Sequence, residues 1–138
     1  MAISALSKLN NVFCAVRKRW IKATEEEKIR QKVLAHLIHD LGFPLSGIVV
    51  EKSLSELVSE KVPPRRIDIV CYGGVAFMPL LVIECKAVPL TQAMMRQLCG
   101  YNRYIKAPSY ALVNSTQIVC SLRGDSRDSL PLYEETFI

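Results

Sequence analysis

"PLLVIECKAV", residues 79–88, decides how this chain is read. Leu80, Leu81, Val82 and Ile83 make a strand interior, and then Glu84 and Lys86 break it. In an extended chain alternate side chains share a face, so Glu84 and Lys86 project to one side while Ile83 and Cys85 project to the other. Taking a carboxylate or an ammonium out of water is costly unless a partner, a metal or a solvent-filled cleft receives it. The groups that do so must lie elsewhere in the chain.

Working outward, apolar residues recur at helical spacing over residues 25–41, at Ile29, Val33, Leu34, Leu37, Ile38 and Leu41. Thr24 followed by Glu27 is a capping-box signature, and Gly42-Phe43-Pro44 ends the helix. Extended segments follow at 47–54, 65–72 and 78–88, punctuated by Pro63-Pro64 and Gly73-Gly74. A second helix is expected over 90–105, with Met94, Leu98, Tyr101 and Ile105 on one stripe. "SYALVNS" and "TQIVCSL" read as two more strands that meet near Asn114-Ser115. The order α-β-β-β-α-β-β predicts an α/β fold, a mixed central sheet flanked by helices. A chain of 138 residues suits one domain, 1–138, with 1–24 as a basic N-terminal segment.

Half the residues are hydrophobic and 22% are charged, an ordinary globular balance. No apolar run approaches the roughly 20 residues that a membrane helix requires. Five cysteines, Cys14, Cys71, Cys85, Cys99 and Cys120, are scattered, and none stands at zinc-ligand spacing with His36 or His39. They read as thiols of a reducing cytoplasm. The net charge of +5 is uneven, because Lys8, Arg17, Lys18, Arg19 and Lys22 all precede the first acid, Glu25. That basic edge suits nucleic-acid phosphates, or it is a solvated face or a targeting remnant.

Three polar groups stand where the pattern asks for apolar ones. Glu84 and Lys86 are the first pair, and Asp68, set in "RIDIV" with Arg66 on its face, is the second. The third is Glu26, which a helical wheel places near the middle of the Ile29, Val33 and Leu37 stripe together with Arg30, while Glu27 points further aside. If segments 65–72 and 78–88 are neighbours, Asp68 and Glu84 can converge. Two close carboxylates repel unless a proton or a cation sits between them, and hard oxygen ligands suit Mg²⁺. The plainer alternative is that Asp68 pairs with Arg65 or Arg66 and the E-x-K is a cross-strand charge pair.

Asp68, then Glu84-Cys85-Lys86 after an apolar strand, resembles the PD-(D/E)xK nuclease signature. More closely, residues 12–122 resemble the N-terminal nuclease domain of type I restriction enzyme restriction subunits and small stand-alone relatives of it. The matching pieces are "VRKRW", "EEEKIRQ", "VEKSL", "RRIDIVCY", "PLLVIECKA" and "RQLCGYNRY", in that order. The resemblance implies a restriction-endonuclease-like core and a Mg²⁺-dependent nuclease, with Mn²⁺ as a substitute, that hydrolyses phosphodiester bonds of DNA by a metal-activated water. It implies that Asp68, Glu84, the Cys85 backbone carbonyl and Glu26 hold the metal and that Lys86 positions the water. Gln97 and Tyr101 match a Q-x-x-x-Y element beside the active site, with Arg30 and Arg66 in support and Lys8, Arg17, Lys18 and Arg19 toward nucleic acid. A second reading keeps the fold without turnover, as a module that binds nucleic acid or a partner protein.

The chain also departs from the family pattern. Ile67, not proline, precedes Asp68, Cys14 replaces an acidic residue, and "VNSTQ" replaces an Asn-Gly turn. No G-x-x-x-x-G-K-[ST] phosphate loop occurs in it, so this stretch carries no nucleotide-driven motor.

Overall fold

A computed structural model describes residues 10–137. Two short strands, β1 (Asn11–Cys14) and β2 (Arg19–Lys22), precede the first helix and pair as an antiparallel hairpin. The sequence reading places no regular element there. Helix α1 (Glu25–His39) follows, then β3 (Ile48–Ser53), a single turn of helix α2 (Leu54–Leu57), β4 (Arg66–Gly73) and β5 (Met78–Cys85). Helix α3 (Gln92–Ile105) leads to β6 (Ser109–Val113), β7 (Ile118–Leu122) and β8 (Asp125–Arg127). The six strands β3 to β8 stand in chain order in one sheet. All neighbours are antiparallel except β5 and β6, which α3 joins as parallel strands. The α/β expectation of a mixed sheet flanked by helices, a restriction-endonuclease-like core, therefore holds.

Strand β5 is an unbroken apolar run because it is covered on both faces. Leu81, Ile83 and Cys85 pack into the cluster that α1 supplies with Ile29, Val33, Leu34 and Leu37. Val82 packs into the opposite cluster with Leu98 and Ile105 of α3. Every residue from Leu80 to Cys85 is at most 4% exposed. The strand stops at Cys85, short of the expected 88, although the Lys86 N–H still bonds Val113 O at 2.9 Å.

The local signals work for identifiable reasons. The Thr24 hydroxyl caps α1 by accepting the Glu27 N–H at 3.1 Å. The reciprocal half of the box is missing, because the Glu27 carboxylate turns inward. Between β6 and β7, Asn114 Oδ1 accepts the N–H groups of Thr116 and Gln117, which closes the turn without glycine. Strand β8 was not anticipated. Its two-residue connection uses Arg123 and Gly124, both at positive φ, the backbone that tight hairpins require. Gly73 is needed for close approach, since a Cβ there would stand 2.6 Å from the Tyr133 ring. A Cβ at Gly100 would meet nothing within 4 Å.

Candidate functional site

The site forms where the pairing of β3, β4 and β5 becomes irregular. The β3–β4 register places Glu51 against Asp68, and Glu51 has φ 58°, a left-handed backbone uncommon outside glycine. Side-chain alternation slips at this point. Ile69 and Cys71 face the α1 cluster, yet Ile67 belongs to the α3 cluster. Regular ladder pairing of β4 with β5 ends at Ile69 and Ile83. Beyond it, Asp68 Oδ2 accepts the Cys85 N–H at 2.7 Å, and the Asp68 N–H reaches Glu84 Oε1 at 3.4 Å. Sequence spacing suggested convergence of these two acids, and the fold brings them together.

Their surroundings are strongly electrostatic. Asp68 and Glu84 are both buried. Arg30 donates from Nη2 to Asp68 Oδ1 at 2.9 Å and to Glu51 Oε1 at 2.7 Å, and from Nη1 to Glu27 Oε1 at 2.5 Å. Glu84 Oε2 lies 3.3 Å from Arg65 Nη2 and 3.9 Å from Lys86 Nζ. Burial, then repulsion from Asp68, pushes the Glu84 carboxyl up to about 7, against the opposing pull of Arg65 and Lys86. Burial and Asp68 also raise Glu26. Arg30 is driven the other way: burial would lower its basicity, but Asp68, Glu27 and Glu51 hold it firmly charged.

Several expectations need correction. Glu26 is exposed and only 3.8 Å from Arg30, whereas Glu27 is the buried acid. The buried face of α1 runs through Glu27, Ile29, Arg30, Val33, Leu34 and Leu37, so it contains the expected stripe and extends to the side on which Glu27 lies. Asp68 pairs with Arg30 across the fold and not with Arg65 or Arg66, and Arg66 is exposed and bonds Glu51 Oε2 at 3.1 Å. Gln97, expected beside the active site, is exposed on α3, and its amide reaches the Tyr101 hydroxyl at 3.5 Å. Tyr101 joins the cluster indirectly, because the Arg65 guanidinium lies over its ring at 5.1 Å from the centroid. Arg17 turns inward to Glu27 Oε2 at 2.5 Å, away from solvent. Lys18 and Arg19 are exposed, and Lys8 lies outside the described residues.

Three residues of the cluster escaped the sequence reading as site members: Glu27, Glu51 and Arg65. The i, i+3 spacing of Glu27 and Arg30 was the one available signal for the first. For Glu51 and Arg65 no local signal exists, since their roles depend on strand register.

Among the described residues, no three His, Cys, Asp or Glu side chains form a group able to hold a metal ion. The donor set is instead two hard carboxylates with open oxygen valences. Glu84 Oε1 has only a long backbone contact, and each Asp68 oxygen takes one donor where it can take two. Such a set does not suit zinc. It does suit Mg²⁺, which takes one or two carboxylates and fills its shell with water and phosphate. Two cavities lie elsewhere, one of about 680 Å³ between α1 and the β6–β7 turn and one of about 330 Å³ beside Tyr72 and Phe77. Neither is lined by Asp68, Glu84 or Lys86. The larger one gathers mainly exposed titratable groups, Glu25, Lys28, Lys32 and Asp128, so the buried acid pair is the better candidate.

A family model described as the type I restriction enzyme R protein N terminus matches residues 25–134. The chain belongs to that family. The match runs from the first residue of α1 to beyond β8 and takes in Asp68, Glu84 and Lys86, while the β1–β2 hairpin lies outside it. No match was found among curated proteins or among solved structures. Among the described residues, no helix is long and apolar enough to cross a membrane.

Proposed function

We propose that this chain is a Mg²⁺-dependent nuclease that hydrolyses phosphodiester bonds of DNA. The observation that carries the reading is the buried pair Asp68 and Glu84, converging where the β4–β5 ladder ends, with Lys86 Nζ 3.9 Å from Glu84. Family membership supports the substrate class. Asp68, Glu84, the Cys85 carbonyl and the more exposed Glu26 are the residues that would hold the ion. When bound, Mg²⁺ would polarise the scissile phosphate and help to ionise the attacking water.

The chain's own groups do the rest. Lys86 is half-buried beside Glu84, so its ammonium can hold a phosphate oxygen, orient the nucleophile and offset negative charge developing at phosphorus. Arg65 ties Glu84 to the Tyr101 ring, which fixes the rotamer of the acid and links the Gln97–Tyr101 element to the site. The buried Nε atoms of Arg30 and Arg65 have no hydrogen-bond partner among the described residues. Arg30 orients Asp68 through its bond from Nη2 to Oδ1.

Plasmid and single-stranded DNA incubated with Mg²⁺ or Mn²⁺ should be cut by the wild-type chain and not by Lys86→Ala or Asp68→Asn. Equal cutting by all three would assign the activity to a contaminant and remove the proposal.

One observation favours a second reading, a binding module without turnover: Arg30 already neutralises Asp68, and no third carboxylate joins the pair in a metal cage. Salt-sensitive DNA binding in EDTA with no metal-dependent cutting would select it.

A further inference from the structure

Among the described residues, Lys18, Glu51, Phe77, Lys106 and Arg123 hold a positive φ without being glycine. Lys18, Phe77 and Arg123 lie in turns, and Lys106 ends α3. Glu51 alone of these lies inside a strand, and the pairing of β3 with β4 continues on both sides of it, Val50 with Ile69 and Lys52 with Ile67. Ile48 and Val50 pack into the α1-side core and Val49 against the α3-side cluster, so plain alternation would send Glu51 toward α3 together with Val49. The left-handed backbone turns it the other way, onto Arg30 of α1. A backbone conformation that costs free energy persists where the surrounding structure holds it, and such positions gather at functional sites.

The result is a nitrogen shared by two acids. Arg30 Nη2 donates to Glu51 Oε1 at 2.7 Å and to Asp68 Oδ1 at 2.9 Å, while Nη1 donates to Glu27 Oε1. Both nitrogens are therefore held by acids other than Asp68. The Arg30 side chain is 5% exposed, and taking the partner from a buried charge is strongly destabilising. Were Asp68 the only acid on Nη2, its turning to a metal ion would strand that nitrogen in the interior. Glu27 cannot fill the gap, because it sits on Nη1 and its other oxygen already accepts from Arg17 and Gln31. The second Glu51 oxygen accepts from Arg66 at 3.1 Å, which steadies the carboxylate from the solvent side. We propose that Glu51 is a positioning residue that lets Asp68 exchange the Arg30 guanidinium for a divalent cation, by keeping hold of Nη2. The inference rests on the nuclease reading, and it makes the Arg30–Asp68 bond compatible with metal binding. Glu51 acts through Arg30 and contacts neither metal nor substrate.

Binding of Mn²⁺ to the full chain without nucleic acid, followed by loss of the free-ion electron paramagnetic resonance signal, separates this role from an ordinary ion pair. The wild type should bind Mn²⁺ saturably, and Asp68→Asn should not. Glu51→Gln should bind it about tenfold more weakly, the usual cost of losing a group that orients a metal ligand from behind. Glu51→Gly should show the same loss with its fold intact by circular dichroism, since glycine takes φ 58° without strain. In an Arg30→Met background Glu51→Gln should no longer change the affinity, because no guanidinium is left to hold. Wild-type affinity in Glu51→Gln and Glu51→Gly would reduce Glu51 to a structural ion pair and overturn the inference. A loss of the same size with Arg30 absent would overturn it too, by making Glu51 a ligand in its own right. Both outcomes leave the nuclease reading standing. A wild type that binds no Mn²⁺, or binds it equally after Asp68→Asn, removes that reading and the role of Glu51 with it.

Discussion

The two faces of the central sheet are covered by helices of similar length, and they treat polar groups differently. On the α3 face, the buried polar side chain of the helix is Asn102, which closes the helix end by bonding both the carbonyl and the N–H of Ala107. Nothing charged on α3 is buried. On the α1 face, Glu27 and Arg30 are buried and meet Asp68 and Glu51 from the sheet. Ordinary packing therefore needs no internal charge in this fold, since α3 does without it. Desolvating an ion pair costs about as much as the pairing returns, so a cluster of this kind is weak evidence for stability and better evidence for a site.

The sharpest way to break that comparison is Arg30→Met. It leaves Glu27, Glu51 and Asp68 without their shared cation, and removal of one partner from a buried pair costs about 3–5 kcal/mol. Thermal melting should fall by many degrees and should recover in part with millimolar Mg²⁺, because a divalent cation then replaces the guanidinium. A variant that melts like the wild type, with or without Mg²⁺, would mean that Arg30 is not what holds the acids. Leu98→Ala is the matched cut on the other face. Leu98 is 1% exposed, and truncation of a buried leucine costs on the order of 3 kcal/mol. Its melting shift should be the same with and without Mg²⁺, and any cation dependence would contradict the division between the faces.

The same division explains what could be read from sequence. The apolar faces follow local rules. The run from Leu80 to Ile83, the helical spacing of α1 and the Thr91-capped α3 all declare themselves within a few residues. The β1–β2 hairpin does not, because its strands are four residues each and its turn, "AVRK", carries no glycine or asparagine, with Lys18 supplying the positive φ. At the site, Asp68, Glu84 and Lys86 are conspicuous as charges inside apolar strands. Which glutamate of α1 turns inward was not, because the helical wheel places Glu26 nearer the middle of the apolar stripe than Glu27. What favours Glu27 is Arg17, ten residues upstream on a hairpin that gave no local signal. Glu51 is hidden for a related reason. Its place opposite Asp68 depends on strand register and on a left-handed backbone at a non-glycine residue.

A smaller effect separates the two acids of the site by pH. Burial holds the Glu84 carboxyl up at about 7 in the folded chain against 4.5 for a free glutamate, so between those values the native state holds a proton that the unfolded chain releases. Stability therefore falls as pH rises through this window and levels off above about 7, by at most on the order of 3 kcal/mol. Glu84→Gln should flatten the profile and melt higher than the wild type at pH 8, by about 2 kcal/mol. Metal binding runs oppositely, since it needs the carboxylate. The Mg²⁺-induced melting shift of the wild type should shrink below pH 7 and be absent in Glu84→Gln. A wild-type profile flat from pH 5 to 8 would show that burial does not govern Glu84.

The mildest test returns to α3, the face without buried charge. Gly100 lies inside the helix, and a Cβ built there meets nothing within 4 Å. If the residue has no task, Gly100→Ala should stabilise the chain by about 1 kcal/mol through the backbone entropy glycine loses on folding. Gly100 also adjoins Tyr101, whose ring carries Arg65 and through it Glu84. Open space in the free protein combined with a position beside the acid site makes the activity readout decisive. A variant that melts higher and cuts DNA as the wild type does makes Gly100 incidental. One that melts higher but loses cleavage while Mg²⁺ still shifts its melting places bound substrate against the α3 backbone at this residue.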